Sequence, residues 1–293
     1  VITNGGRLET YARELVEAGI DSIAVSIDGP PEVHNRIRGK ADSFDRAAAG
    51  VRAVAEWRRR LRRPAPMQIA ILPITELNLD AIGPAMDALS ALPLDTINVG
   101  LRWFVPKEAG LEYERVMRET FGVSGDSWKG FDFDWSKAGA SKTRQMTELV
   151  RLLKGLKKRR FLDSLRGKPW TSFVPDVPAE EVPAYFSDFS QTFGHNLCPV
   201  AWYFAQVEPD GEVCFCGDFP DYFIGNVREQ PFAELWTGPK AQRFRQKLAK
   251  EPLPICARCC GNYVYGKWGR PKSPVPAEGY MFPGAELLSP QNR

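Results

Sequence analysis

The sequence lacks three features that would each place it in a special class of protein. No apolar run approaches the roughly 20 residues that a membrane-spanning helix needs, so no such helix is predicted. Neither sign of charge dominates, because 39 basic residues face 36 acidic ones, and the net charge of +3 gives no indication of nucleic-acid binding. The apolar, aromatic and charged fractions of 43%, 11% and 26% exclude disordered, collagen-like and coiled-coil chains.

The beginning of the sequence also lacks a methionine and the apolar stretch of a signal peptide. Its first residues, Val1 and Ile2, are typical of the end of a buried strand. We therefore expect the chain to begin inside a domain and to be a fragment of a longer protein. At about 150 residues per domain, a length of 293 residues predicts two domains.

The first third of the sequence alternates between helix and strand patterns. The predicted elements are a helix from Leu8 to Val16, a strand from Ile23 to Ile27, a helix from Ser43 to Val54, a strand from Met67 to Leu72, a helix from Leu79 to Leu89 and a strand from Thr96 to Phe104. Ser43 is a suitable N-cap, and Pro66 and Pro73 bound one strand. Because strands separated by helices pair in parallel, the pattern predicts an α/β sheet or part of a barrel.

The middle of the sequence, from residue 105 to 197, is less regular. One convincing helix is predicted over Ser141–Leu165, where apolar residues recur at helical spacing. Loops that contain Trp and Pro surround it, among them Lys168–Trp170 and Pro175–Pro183. We interpret this stretch as a connecting region, and the Pro- and Gly-rich end from Lys267 as a segment that wraps or frays.

All six cysteines lie in the last third of the chain, between residues 198 and 260. The C-x2-C pair at Cys256–Cys259 has a spacing that lets two thiolates reach one metal from a single turn. The pair Cys214–Cys216 follows Pro209–Gly211, which is typical of a hairpin turn and would bring one member near Cys198. The pattern therefore predicts a site with four thiolates.

The spacing of the cysteines leaves the nature of that site open. Tetrahedral zinc and a [4Fe–4S] cluster both accept four thiolates, so the two are about equally favoured. A disulfide framework is the weaker interpretation, because nothing in the sequence indicates secretion. Six unrelated buried cysteines would be a further alternative, but all six fall in one short window.

Several motifs of the first third occur in a distinctive order. They are Thr3-Asn4-Gly5, the V-S-I-D-G of Val25–Gly29, His34, the R-I-R-G of Arg36–Gly39, and Ser43-Phe44. This order resembles the middle of a radical S-adenosylmethionine (SAM) core, in which a strand ending in T-N-G precedes one ending in S-[IL]-D-G and then H-[DN]-x-x-R-G.

The cysteine-rich segment resembles the module that follows such cores. Cys198, twelve residues, Gly211, four residues and Cys216 precede the C-x2-C of Cys256 and Cys259. This arrangement is similar to the C-x(9–15)-G-x4-C … C-x2-C pattern of SPASM/Twitch modules. The two resemblances together cover residues 1–105 and 198–262.

The resemblance implies both an architecture and a set of ligands. The implied segments are a partial (β/α)6-type radical SAM barrel at 1–105, a connecting region at 106–197, a small cysteine-rich α+β SPASM/Twitch module at 198–262 and a tail at 263–293. One auxiliary [4Fe–4S] cluster is implied, since a second would need more cysteines. Its implied ligands are Cys198, Cys216, Cys256 and Cys259. Cys214 and Cys260 would be spare, or one of them would replace a neighbour.

The family pattern also implies contacts to SAM. The implied cofactor-binding residues are Ser26, Asp28, Asn4 and Arg38. A self-capping turn at Ser26–Asp28, a turn role for Asn4 and a surface salt bridge of Arg38 are the structural alternatives. We expect His34 to support its loop, Asn78 to cap a helix, and His195 to be a loop residue rather than a ligand.

The chain departs from the family in lacking the C-x3-C-x2-C motif of the catalytic cluster and the G-G-E-P-type stretch. We expect the parent protein to carry both, so this chain alone would not cleave SAM. The implied activity of the parent is formation of a 5′-deoxyadenosyl radical that abstracts hydrogen from a peptide, protein or small molecule.

The resemblance further implies a second [4Fe–4S] cluster in the parent, a flavodoxin or ferredoxin as electron donor, and a cytoplasmic setting. From the balanced charge and the lack of a long apolar run, we expect no nucleic-acid or membrane partner. The competing hypothesis is a non-catalytic α/β binding or scaffold protein with a structural four-cysteine zinc site.

Overall fold

The computed structural model describes residues 1–133, 140–196, 198–259, 261 and 263. The helices are α1 (Leu8–Glu17), α2 (Pro31–Arg38), α3 (Ser43–Arg60), α4 (Ile82–Ser90), α5 (Lys107–Phe121), α6 (Ala140–Leu165), α7 (Val182–Ser187), α8 (Val200–Tyr203), α9 (Phe232–Thr237) and α10 (Pro239–Lys250). The strands are β1 (Ile2–Thr3), β2 (Ser22–Ser26), β3 (Met67–Ile74), β4 (Thr96–Leu101), β5 (Trp170–Val174), β6 (Gln206–Val207), β7 (Glu212–Cys214) and β8 (Phe223–Asn226).

The described residues divide into two compact units. Residues 1–102 together with 140–187 form the first, which we call the sheet unit. Residues 103–133 and the described residues from 188 onwards form the second, which we call the cysteine unit. The predicted connecting region thus contributes residues to both units, and the predicted tail lies outside the described residues except for Tyr263. The segment boundaries expected from the sequence stay a prediction.

The sheet unit is built on five strands that pair in parallel, in the order of the sequence. Alternate residues of β2 point to opposite faces, so Ile23 and Val25 are fully buried, whereas Ser26 on the other face is only half-buried. The same alternation runs through β3 and β4. The predicted parallel α/β sheet is confirmed.

Three details of the sheet unit differ from the prediction. Val1 and Ile2 are exposed rather than buried, because β1 pairs only with β2. β3 continues through Pro73, which is tolerated because β2 pairs with β3 only as far as Ile71. Ser43 is the first residue of α3 rather than its N-cap, and its hydroxyl lies 3.1 Å from Nε2 of His34.

The structure also adds elements that the sequence pattern did not reveal in the middle region. β5 extends the parallel sheet beside β4, with Asn98 opposite Ser172 in the register. α5 lies in the cysteine unit, where Tyr113, Met117 and Phe121 enter its hydrophobic core. Helix α6 was predicted almost to the residue.

The cysteine unit contains a three-stranded antiparallel sheet of β6, β7 and β8, whose strands have only two, three and four residues. The predicted hairpin turn is present, with Gly211 at φ +94°, where a side chain would collide with Asn226. Asp221 fastens α5 to this sheet, because its carboxylate accepts hydrogen bonds from the Tyr113 hydroxyl at 2.8 Å and from Ser127.

None of the described helices is both long enough and apolar enough to cross a membrane.

Candidate functional site

The cysteine unit brings together four thiols that are far apart in the sequence. Cys198 lies two residues before α8, and Cys216 lies two residues after β7. Cys256 begins a short 3-10 turn after α10, and Cys259 follows that turn. This turn is closed by a hydrogen bond from the Cys259 backbone N–H to the Cys256 carbonyl at 3.2 Å. Cys198, Cys256 and Cys259 are buried and Cys216 is half-buried.

The electrostatics of the thiols place these four cysteines in one group. Burial, and then the charge of Cys259, raise the pKa of the Cys198 thiol to about 12. Burial also raises the pKa of Cys216 well above its ordinary value, and the charges of Cys259, Cys256 and Cys198 raise it further. The pKa of Cys256 is raised by burial, Cys198 and Cys259. Each thiolate therefore opposes the ionisation of its neighbours unless a cation compensates the charge.

Cys214 lies outside this group although it is only two residues from Cys216. Burial raises the pKa of its thiol to about 11, and the charged neighbour that adds to this rise is Glu208. Its sulfur donates to the carbonyl of Cys216 over 3.7 Å. The chain leaves the strand between these two cysteines, because Cys214 is the last residue of β7 and Cys216 lies beyond it. Cys260, the other cysteine expected to be spare, lies outside the described residues.

The surroundings of the four thiols suit a group that must be kept from water. Cys198, Cys256 and Cys259 belong to the same hydrophobic core as Phe215 and Phe219. The carboxylate of Asp218 lies 3.5 Å from the sulfur of Cys259 and accepts from it. Buried thiols surrounded by aromatic side chains are a suitable donor set for iron–sulfur ligation, because burial of such a site tunes its potential.

The described residues do not form a compact site for one ion. Among them, no group of three or more His, Cys, Asp or Glu side chains is arranged so that it could hold a single metal ion. In a tetrahedral zinc site with bonds of about 2.3 Å, the sulfurs would lie only about 3.8 Å apart.

The carboxyl end of the parallel sheet carries the second set of predicted residues. Asp28 and Arg38 contact each other, since the guanidinium donates to both carboxylate oxygens of Asp28 at 2.5 and 2.9 Å. The backbone N–H of Asp28 donates to Nδ1 of the fully buried His34 at 3.0 Å. Burial tends to raise the pKa of Asp28, but the contacts with His34 and Arg38 outweigh it and lower that pKa below its ordinary value.

The other predicted residues of this edge have separate surroundings. Ser26 is the last residue of β2, and within the described residues its hydroxyl has no hydrogen-bond partner. Asn4 is exposed and accepts from the backbone N–H of Gly6 at 3.0 Å, as in a local turn. The structure thus joins Asp28 to Arg38 but leaves Ser26 and Asn4 outside that pair.

Two further residues, His34 and Asn78, support the loops at this edge of the sheet, and only the role of His34 was expected from the sequence. His34 supports its loop as expected, through Asp28 and Ser43. Asn78 is not the cap of α4, which begins after Ala81. Its buried amide instead donates to the carbonyls of Asp28 at 2.6 Å and Pro73 at 2.7 Å, and so it links the loops after β2 and β3. Only knowledge that these strands are neighbours could have revealed this link.

His195 lies against the ring of Tyr263, with 4.6 Å between the ring centroids. This contact gives it a packing role, and its expected absence from the ligand set stays a prediction.

Comparison with known proteins gives three kinds of match. Residues 198–260 match the family model of SPASM, described as an iron–sulfur cluster-binding domain. The chain is 24% identical over 268 residues to pre-heme d1 synthase of Dinoroseobacter shibae, covering 88% of this chain and 58% of that protein. It is 23% identical over 286 residues to Fe-coproporphyrin III synthase of Methanosarcina barkeri, covering 88% of this chain and 60% of that protein.

Among solved structures, a histidine-tagged form of anSMEcpe with bound AdoMet aligns with a TM-score of 0.50 and 17% identity, covering 83% of this chain and 57% of that one. At this identity the likeness shows a shared fold. The chain spans less than two thirds of the length of the curated relatives that it matches. The resemblance of the cysteine-rich segment to a SPASM module is confirmed by the family match to residues 198–260.

Proposed function

We propose that this chain, a relative of the radical SAM enzymes that carry a SPASM domain, holds one auxiliary [4Fe–4S] cluster for a radical SAM reaction. The proposed ligands are Cys198, Cys216, Cys256 and Cys259. The observation that carries the proposal is the grouping of these four cysteines in or against one hydrophobic core within the SPASM match, where repulsion between neighbouring thiolates raises the pKa values of Cys198, Cys216 and Cys256. Repulsion of this kind is relieved when the thiolates ligate a positively charged group.

A cluster suits these thiols better than a zinc ion does. One tetrahedral ion draws its sulfurs to van der Waals distance, whereas a cubane of four irons gives each thiolate its own metal and spaces them more widely. Within the described residues no single-ion site is formed. The match to an iron–sulfur cluster-binding domain over residues 198–260 supports the cluster over the structural zinc of a scaffold protein.

We assign the SAM-binding role to the carboxyl end of the parallel sheet, where α/β folds bind ligands. The half-buried Ser26 hydroxyl is available for a ribose hydroxyl, and Asn4 lies at the end of the neighbouring strand. Arg38 is one-third exposed and would reach a carboxylate, while Asp28 holds its guanidinium in place. When bound, SAM and its cluster would supply a carbon-centred radical for hydrogen abstraction.

We assign the catalytic cluster itself to the whole protein, because none of the six cysteines forms a C-x3-C-x2-C motif. The whole enzyme would then work in a reduced cytoplasm with a flavodoxin or ferredoxin as electron donor. For the substrate we propose a haem-type tetrapyrrole, since two relatives that match most of the chain are named for such compounds. Titration of the chain with iron coproporphyrin III, followed by the quenching of tryptophan fluorescence, tests this class of substrate. A cysteine-containing peptide is titrated in the same way as the alternative ligand.

Anaerobic reconstitution with iron and sulfide tests the cluster. We expect about four irons and four sulfides per chain, visible absorption from thiolate-bound iron, and loss of both in Cys198→Ala. Cys214→Ala is the matched control, since Cys214 is equally buried but lies outside the group of thiols. It should keep the full iron content.

The same assay separates the competing hypothesis. One tightly held zinc without visible absorption would contradict the proposed cluster and support a scaffold with a structural zinc site. Equal loss of iron in Cys198→Ala and Cys214→Ala would show that the proposed ligand set is wrong.

A further inference from the structure

A fully buried arginine lies within the C-x2-C turn. Arg258 stands between Cys256 and Cys259 and is 1% exposed. An arginine stays protonated at any physiological pH, so this side chain places a permanent positive charge inside the cysteine unit. The conventional C-x2-C pattern requires no particular residue at this position.

The guanidinium is held by backbone carbonyls. Its Nη1 donates to the carbonyl of Gln191 at 2.7 Å and to that of Ala257 at 2.7 Å, and its Nη2 donates to that of Asp188 at 2.6 Å. These contacts fasten the segment 188–191 to the C-x2-C turn. Carbonyl dipoles stabilise the cation without cancelling its charge.

Aromatic rings enclose the same guanidinium. Its central carbon lies 5.8 Å from the ring centre of Phe104, 5.2 Å from that of Phe189 and 5.4 Å from that of Phe193. Phe193 has φ +51°, a left-handed conformation that a bulky residue rarely adopts. The backbone of Phe193 is therefore strained in the conformation that packs its ring against Arg258.

Arg258 lies in the same short turn as Cys256 and directly before Cys259, and Tyr263 lies close to both the cation and this turn. Burial raises the pKa of its hydroxyl, and within this shift the charge of Arg258 lowers the pKa while that of Cys259 raises it. The same hydroxyl donates to the carbonyl of Ala257 at 2.7 Å. One side chain therefore feels both the cation and a proposed ligand, in surroundings that screen charge poorly.

We propose that Arg258 is a positioning residue that raises the reduction potential of the auxiliary cluster and holds the segment 188–193 beside it. The inference rests on the proposed ligation of a cluster by the four cysteines. Four thiolates give the cluster a net negative charge that grows by one on reduction. A nearby fixed cation stabilises the reduced state more than the oxidised state.

The test is a redox titration of the reconstituted chain, followed by the visible and electron paramagnetic resonance spectra of the cluster. In Arg258→Gln we expect at least a tenfold fall in the ratio of reduced to oxidised cluster at a fixed potential. This corresponds to about 59 mV for a one-electron couple. Arg258→Lys keeps the charge, so its ratio of reduced to oxidised cluster should stay within threefold of that of the original chain.

Arg245→Gln is the matched control. Arg245 is also buried, donates to the carbonyls of Ala201 at 2.9 Å and Trp236 at 2.6 Å, and lies against two aromatic rings, but it does not stand between proposed ligands. In Arg245→Gln the ratio of reduced to oxidised cluster should stay within threefold of that of the original chain. An equal fall in both glutamine variants, or none in Arg258→Gln, would overturn the inference.

A second variant, Asp188→Asn, tests the inference if Arg258→Gln cannot be loaded with a cluster and therefore cannot be titrated. Hydrogen bonds from Ser190 and Gln191, together with the charge of Arg258, lower the pKa of the Asp188 carboxyl. Removing this negative charge should shift the cluster toward the reduced state, and an unchanged ratio would overturn the inference. If the original chain holds no cluster at all, the proposed function fails instead, which distinguishes the two failures.

Discussion

The sheet unit and the cysteine unit obtain their stability from different sources. Five paired strands and the helices beside them give the sheet unit a continuous apolar core, in which residues such as Ile23 and Leu72 are fully buried. The strands of the cysteine unit have four residues at most. Its core is instead rich in aromatic rings and surrounds the thiols, with Arg245 and Arg258 buried among them.

The two units also differ in how their buried polar groups act on one another. At the carboxyl end of the sheet, Asp28, Arg38 and His34 satisfy one another. In the cysteine unit, burial and the charges of neighbouring thiolates raise the pKa values of Cys216 and Cys256. We therefore expect the sheet unit to be stable without cofactor and the cysteine unit to depend on its cluster.

The largest effect is expected from removing a ligand of the cluster. Cys259→Ser should abolish iron binding and loosen the cysteine unit, because the remaining thiolates cannot hold a complete cluster. Iron and sulfide analysis with near-ultraviolet circular dichroism measures both effects. An altered sheet unit in this variant would contradict the proposed independence of the two units.

The next largest effect concerns the ion pair of the sheet unit. Arg38→Met should lower the free energy of unfolding by about 2 kcal/mol, since it leaves the carboxylate of Asp28 buried beside His34 alone. Urea unfolding monitored by circular dichroism measures the loss. Arg46→Met is the control, because its contact with Asp42 is exposed and 3.8 Å long, and it should cost well under about 1 kcal/mol. Equal losses of unfolding free energy in the two variants would show that burial of the Asp28–Arg38 pair contributes nothing to stability.

The same pair predicts a dependence on pH. The pKa of Asp28 is lower in the folded chain than its unfolded value of about 3.9. Its contribution to stability is therefore complete above that unfolded value and is lost as the pH falls through the lower, folded pKa. The stability gap between the original chain and Arg38→Met should be full at pH 7 and narrow below about pH 4. A constant gap would contradict the pairing.

A smaller effect is expected where α5 is fastened to the cysteine unit. Tyr113→Phe removes the hydroxyl that donates to Asp221 and should cost about 1.5 kcal/mol. We expect it to speed the loss of cluster in air, measured as the decay of visible absorption. Tyr185→Phe is the control, since that hydroxyl donates to the carbonyl of Arg102 in the sheet unit, and the decay rate should not change.

The smallest effect is expected from Cys214→Ala. Its sulfur makes one weak contact with the carbonyl of Cys216, so its removal should cost up to about 1 kcal/mol and leave iron content unchanged. A measured loss of iron would show that Cys214 replaces one of the proposed ligands.

The sequence predicted more about the cysteine unit than about the middle of the chain. The G-x4-C of the family pattern selects Cys216 over Cys214, and the charges of the other three thiolates act on Cys216, while the ligand set itself stays a prediction. Helix α5 and strand β5 were missed because loops rich in Trp and Pro obscure their patterns. The Asp28–Arg38 pair was also hidden, because α2 returns Arg38 to the end of β2 across ten residues.

Hydrogen–deuterium exchange of the chain with and without reconstituted cluster tests the contrast between the two units most directly. We predict that loading the cluster slows exchange in residues 103–133 and 198–259, and leaves the fully buried strands β2, β3 and β4 unchanged. Equal slowing in both units, or no slowing around the cysteines, would contradict the account.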